Sequence, residues 1–409
     1  MASRIAAAVF VPRQSSSRLG LAVWAIAAAI SVGFAWLLAA DPGYMTDLSR
    51  VREWLETWLA GRDPYAEFFD VDYPPNAFVL LAPLSWIDDA TLPLAYPPVL
   101  VAVTAAGAWI LSGWMASQFG VALTRTERAA LVLIMLAGES MRTAIWRGQT
   151  SPFALLLGAS ALALKARRPA WSVAMLACCA FKPHIALGFG LAILVTHGWV
   201  VPVSAAGVAM LSSLLFSATA HVSPIDAWQG YIANLWQLYS GPERVRGLLS
   251  IRWILEDATG SFTLGTLAYL GMALGSAAFL AYAAAESHTR AQRAQVATAW
   301  LLWSLLFLPH QLYHAWMAAP ALWLVMWPES GLVRRDRVRV WIVAAYVTFG
   351  VVDVPRLLRL MVDPNESWTV GWWSYALSPL RITAIFALLL VIIARRRAPA
   401  TAPTIPAID

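Results

Sequence analysis

Between residues 41 and 76 the chain reads DPGYMTDLSRVREWLETWLAGRDPYAEFFDVDYPPN. Eight of its 23 acidic residues fall there: Asp41, Asp47, Glu53, Glu56, Asp63, Glu67, Asp70 and Asp72. Asp47 is the first of these to consider for chemistry. Read locally, Thr46 or Asp47 can instead cap a helix running to about Ala60 and ended by Gly61. Trp54, Leu55 and Trp58 share a stripe on that helix, with Arg52, Glu53 and Glu56 facing water, which suggests a helix lying on a membrane surface. Asp63-Pro64-Tyr65 and Tyr73-Pro74-Pro75 read as turns.

Three later groups carry cationic or hydrogen-bonding side chains. Arg147-Gly148-Gln149 follows an apolar run and reads either as a polar helix cap or as a contact to a phosphate or a sugar hydroxyl. Arg142, five residues earlier, is costly at membrane depth without a partner. Lys182 and His184 flank Pro183, whose helix break is tolerated there only against protein or water. A simple kink is one reading, and a cation aimed at an anionic ligand is the favoured one. His310 and His314 are spaced to share a helical face. A metal needs a third ligand, and no Asp or Glu stands near, so phosphate or acceptor binding is preferred and no metal is expected. Arg252, Arg356 and Arg359 are further outer-face cations of lower specificity, each alone more often a lipid-headgroup contact.

The elements that must position these residues are membrane helices. The chain of 409 residues is 60% hydrophobic and 13% charged, with a mean hydropathy of +0.63. Repeated apolar runs imply an all-α polytopic membrane protein with about 12 spans. No polar stretch is long enough to form its own core, so residues 1–409 read as one membrane domain. Its large polar loops are 41–76 and 221–260. Pro75 to Trp86 and Thr91 to Phe119 read as one bent crossing. With the N-terminus inside, the basic turns at Arg125/Arg128, Lys165/Arg167/Arg168, Arg290/Arg293 and Arg334 to Arg339 all fall on the cytoplasmic side, as the positive-inside rule requires. The two large loops and the groups at Arg147, Lys182 and His310 then gather on the outer face.

The net charge of +6 follows from these topology signals, and nucleic acid is not an expected partner. Cys178 and Cys179 are adjacent and read as small apolar fillers. No Walker motif, dinucleotide fingerprint or nucleophile elbow is present, which excludes cytosolic nucleotide chemistry.

The order of the motifs resembles glycosyltransferase family 87, of the GT-C superfamily. The matching features are an early Asp after the first span, Gly61 to Tyr65 (G-x-D-P-Y), Tyr73 to Pro75, Gly148-Gln149, Lys182-Pro183, and the late segment Pro309 to His314. Arg147 stands where the family commonly has Asn, and LPHQLYHAW replaces its usual S-P-x-S-W-x-H-H. The resemblance implies a GT-C-like helical bundle in a bacterial plasma membrane, with the active site facing the exterior. It implies inverting transfer of a mannose-like or arabinofuranose-like sugar from a polyprenyl-phosphate donor to a glycolipid or polysaccharide hydroxyl. Asp47 would be the general base. Arg147, Gln149, Lys182, His184, His310, His314, Arg252 and Arg356 would contact donor phosphate or acceptor, with no cofactor. The alternative is a transporter or flippase for a lipid-linked or anionic substrate, which should show repeat symmetry and ionisable residues near the bilayer midplane.

Overall fold

The structure, a computed structural model, describes residues 18–37, 44–239, 249–326 and 373–395. It is all helical, with no strand among the described residues. The chain runs through α1 (Arg18–Leu37), α2 (Thr46–Leu59), α3 (Pro64–Glu67) and α4 (Pro75–Leu81). A 3-10 turn (Ala82–Trp86) leads to α5 (Leu92–Phe119), α6 (Arg125–Leu136) and α7 (Glu139–Arg147). Then come α8 (Ser151–Leu164), α9 (Pro169–Cys179), α10 (Pro183–His197), α11 (Val200–Ala220) and α12 (Pro224–Tyr239). The chain continues as α13 (Arg252–Thr259), α14 (Phe262–Ala285), α15 (Arg290–Phe307), a second 3-10 stretch (Leu312–Ala318), α16 (Ala319–Met326) and α17 (Trp373–Arg395).

Among the described residues, three helices are long and apolar enough to cross a membrane: α5, α11 and α14. The α6–α7 pair makes a fourth if its 57° bend lies within one span. Extended backbone at Gly138 produces the bend by interrupting the helical ladder. The apolar helices α8, α9 and α10 are shorter, at 14, 11 and 15 residues, below the roughly 20 that a straight crossing needs. α8 is packed between α5, α9 and α10, and α10 lies along α15, while α9 keeps Trp171 and α10 keeps Leu187 and Leu194 exposed. Phe189 of α10 and Leu155 of α8 are fully buried in this core. By contrast α14 turns Leu264, Leu267, Leu270 and Leu274 outward, as a lipid-facing helix does.

Three local expectations change. The expected bent crossing from Pro75 to Phe119 is instead α4, a 3-10 turn and a continuous 28-residue α5 that holds Pro97 and Pro98 within it. The tryptophan stripe of α2 faces protein and not lipid. Trp54, Leu55 and Trp58 are buried with Leu48 and Val51, and Trp58 stacks on Phe216 of α11 with its Nε1 donating to the Phe216 carbonyl at 3.1 Å. Pro183 does not break a helix. It begins α10, where its missing N–H is no loss. Arg334 to Arg339, Arg356 and Arg359 lie outside the described residues.

Candidate active site

Asp47 lies in the first turn of α2. It does not cap that helix: the preceding position is Met45, in the left-handed region at φ 55°, with no side-chain cap. The carboxylate is used elsewhere. Gln149 Nε2 donates to Asp47 Oδ2, and Arg147 Nη1 stands 3.8 Å from Oδ1 while donating to Thr46 Oγ1 at 3.2 Å. The Arg147 guanidinium also lies over the Trp146 ring, 4.6 Å from its centroid.

The backbone explains how two distant segments meet here. α7 ends at Gly148, whose φ of +69° suits glycine. A side chain there would also strike α2, because an added Cβ would stand 2.6 Å from Leu48 Cβ. This close approach lets Met45 N donate to Trp146 O at 2.6 Å. The next residues are held from the other side. Tyr96 OH donates to the Gln149 carbonyl at 3.3 Å, and Tyr73 OH and Thr150 Oγ1 are 2.7 Å apart. Tyr65 OH in turn donates to the Tyr73 carbonyl at 2.7 Å. The two turns read from the sequence thus become braces for the Gly148-Gln149-Thr150 strap.

Asp47, Gln149 and Lys182 line one cavity of about 350 Å³ together with Asp70, Asp72, Tyr73, Arg50, Trp54, Tyr239 and Gln311. Lys182 sits in the turn between α9 and α10, is 4% exposed, and places Nζ 3.8 Å from the centroid of the Tyr73 ring. A desolvated ammonium over an aromatic face is attracted by the ring quadrupole. Burial pushes Lys182 below the usual lysine range, while Asp72 and Asp47 oppose that shift. Burial likewise pushes the Asp47 carboxyl above the ordinary range. Arg147, Lys182 and the Gln149 hydrogen bond pull it back, and Asp72 pushes it further up. Asp72 is itself raised by burial and held down chiefly by Lys182. Asp47, Asp72 and the buried Lys182 ammonium therefore share one small, partly desolvated volume, to which Asp70 adds a third carboxylate. Arg50, on the same cavity, grips Asp70 through Nη2 at 2.9 Å and Nε at 3.1 Å.

The remaining candidates divide. His184, His310 and His314 form a cluster of their own, with ring centroids 4.6 to 5.0 Å apart. None of the three lines the cavity, although their neighbours Lys182 and Gln311 do. Arg252 is also away from it, paired with Glu256 at 2.7 Å and lying over the Phe262 ring. These four therefore stand apart from Asp47, Gln149 and Lys182, which line the cavity together. Sequence reading missed Asp72, Tyr73, Tyr239 and Gln311 as cavity residues. Asp72 belongs to the acidic stretch already singled out, and Tyr73 to a motif read only as a turn.

Such an arrangement can do one kind of chemistry well. A half-buried carboxylate with raised proton affinity accepts a proton from a hydroxyl, and a neighbouring buried cation stabilises an anion as it forms.

Residues 71–309 match the family model of glycosyltransferase family 87. The match includes Arg147, Gln149, Lys182 and His184, begins after Asp47, and ends just before His310. No curated protein and no solved structure matches the chain.

Proposed function

We propose, from the premise that the chain belongs to glycosyltransferase family 87, that it moves a sugar from a polyprenyl-phosphate donor to a hydroxyl of a glycolipid or polysaccharide. The observation that carries this reading is Asp47, gripped by Gln149 and facing Lys182 across one cavity. Asp47 takes the acceptor hydroxyl proton as the new C1–O bond forms and the bond from C1 to the phosphate oxygen breaks. The attack is in line, so the anomeric centre inverts. The leaving group departs as polyprenyl phosphate, already a stable anion, and no second acid is needed to protonate it. This differs from glycoside hydrolysis, in which one carboxyl must protonate the leaving oxygen.

Lys182 and Arg147 are the cations placed to offset charge as the phosphate leaves. The reaction as drawn takes no cofactor. A mannose-like or arabinofuranose-like sugar fits the hydroxyl-binding character of a cavity walled by carboxylates, Trp54, Tyr73 and Tyr239. Positive charge in the turns at 125–128, 165–168 and 290–293 supports a cavity facing outward from a bacterial plasma membrane. In this reading the bundle is GT-C-like, and its crossings, about 12, include the short helices α8 to α10.

The test is reconstitution. The purified chain, given polyprenyl-phosphate mannose and a glycolipid acceptor in liposomes, should yield glycosylated acceptor and polyprenyl phosphate in equal amounts. Accumulation of substrate across the vesicle membrane, with no sugar transferred, would replace this reading with that of a transporter.

A further inference from the structure

The transfer reaction as proposed assigns no step to the histidine cluster beside the cavity. His184 opens α10 next to Pro183, and His310 and His314 flank the start of the 3-10 stretch after α15. One ring nitrogen from each lies within 4.8 Å of the others. His310 is fully buried, and both of its ring nitrogens lack a hydrogen-bond partner. His184 Nε2 is also buried without one. A buried imidazole has one donor and one acceptor to satisfy, and native proteins rarely leave either empty. Two open nitrogens on His310 and one on His184 thus stand in a cluster where an ion accepting one lone pair from each ring would satisfy a nitrogen on both.

We propose that His184, His310 and His314 bind a transition-metal ion of the zinc class. Three imidazoles with no carboxylate suit zinc, copper or nickel. They exclude calcium and magnesium, which need oxygen ligands. A tetrahedral ion with metal–nitrogen bonds of about 2.0–2.1 Å holds its ligand nitrogens roughly 3.4 Å apart. From a 4.8 Å triangle, each nitrogen moves inward by under about 1 Å, a distance that side-chain rotation covers. His314 is already engaged: its Nδ1 accepts from Gln311 N–H at 3.1 Å and its Nε2 is 2.8 Å from Ser151 Oγ. Ligation through Nδ1 displaces the Gln311 N–H, and Nε2–H, donating to Ser151 Oγ, orients the ring, as second-shell partners of metal-bound histidines do. The added positive charge stands near Lys182, whose own charge is met by Asp72 and Asp47.

The ion ties two corners of the fold together. One is the turn between α9 and α10, which carries Lys182. The other is the segment between α15 and α16, which carries Gln311. Both side chains line the cavity, so the ion fixes two pieces of its wall without entering the reaction. The inference stands on the cluster alone and does not depend on the proposed transfer.

The experiment uses the full chain, purified in detergent with any histidine tag removed, loaded with zinc and desalted. Metal content is read by mass spectrometry. One zinc per chain is expected in the wild type, and its loss in His184→Asn and His310→Gln. Cobalt added to the wild type should give visible d–d bands, a readout that needs no variant to fold. Zinc should raise the unfolding midpoint of the wild type and leave that of folded variants unmoved. A wild type that retains no zinc and gives no cobalt bands overturns the proposal. So do folded variants that keep the wild-type complement.

Discussion

Replacing Gly148 by alanine tests how the site is assembled. Gly148 holds φ +69°, and the new Cβ would lie 2.6 Å from Leu48 Cβ and 3.3 Å from Met45 Cα. Left-handed backbone at a residue with a Cβ costs about 1–2 kcal/mol. Overpacking against α2 adds about 1–3 kcal/mol. The expected loss of stability is thus about 2–5 kcal/mol. Relief of the contact moves the start of α2 away from α7, and Asp47 is the residue before Leu48. Displacing a reacting group by about 1 Å costs on the order of 10²-fold in rate. Gly120 supplies the control: its φ is +66°, but an added Cβ there meets nothing within 4 Å. Gly120→Ala should show the backbone strain alone, about 1–2 kcal/mol, with normal turnover. The assays are denaturant unfolding in detergent and initial rates of sugar transfer. Equal stability loss in the two variants, or wild-type turnover in Gly148→Ala, would refute the argument that close approach at Gly148 positions Asp47.

Other perturbations probe separate links. Arg147 is the strongest of the groups that pull the Asp47 carboxyl down. Arg147→Gln should raise the carboxyl's proton affinity further, and because a base works only when ionised, the acid limb of the kcat/KM profile should move to higher pH; an unmoved limb contradicts the pairing. Tyr73→Phe removes the 2.7 Å bond to Thr150, which is 1% exposed, and should cost about 1–3 kcal/mol in unfolding free energy; Tyr73→Ala should cost more, since the ring beneath Lys182 goes as well. At Gly158 an added Cβ would stand 2.2 Å from Phe189 Cδ2, so Gly158→Ala should lower stability by about 1–3 kcal/mol, and an unchanged unfolding midpoint would show that the α8–α10 contact is looser than drawn.

What was legible in the sequence follows the range of the interactions. The helical membrane class came from hydropathy, a local property. Gly61, Asp63 and Pro64 do what turn residues are expected to do: Gly61 ends α2 at φ 78°, and Asp63 accepts from Tyr65 N at the head of α3. Asp47, Gln149 and Lys182 were singled out separately, and folding brings them to one cavity. The partnership between them was invisible, because it rests on Gly148 meeting Leu48 and on Tyr73 reaching Thr150. Trp54 and Trp58 were read as lipid-facing because an aromatic stripe looks the same whether bilayer or protein covers it. Phe216, far along the chain, decides the case for Trp58, and Tyr73 for Trp54. The histidine pair lacked a third ligand in sequence for the same reason: His184 lies on α10, and only the packing of α10 along α15 supplies it.

The central claim is that Asp47 accepts the acceptor's proton. Its most direct measurement is single-turnover transfer from polyprenyl-phosphate mannose by Asp47→Asn, with binding of the same donor measured in parallel. Asn keeps the shape and can still meet Gln149, so donor affinity should stay near wild type while transfer falls by about 10²–10⁴-fold. Transfer at the wild-type rate by a variant that binds donor normally would contradict the account.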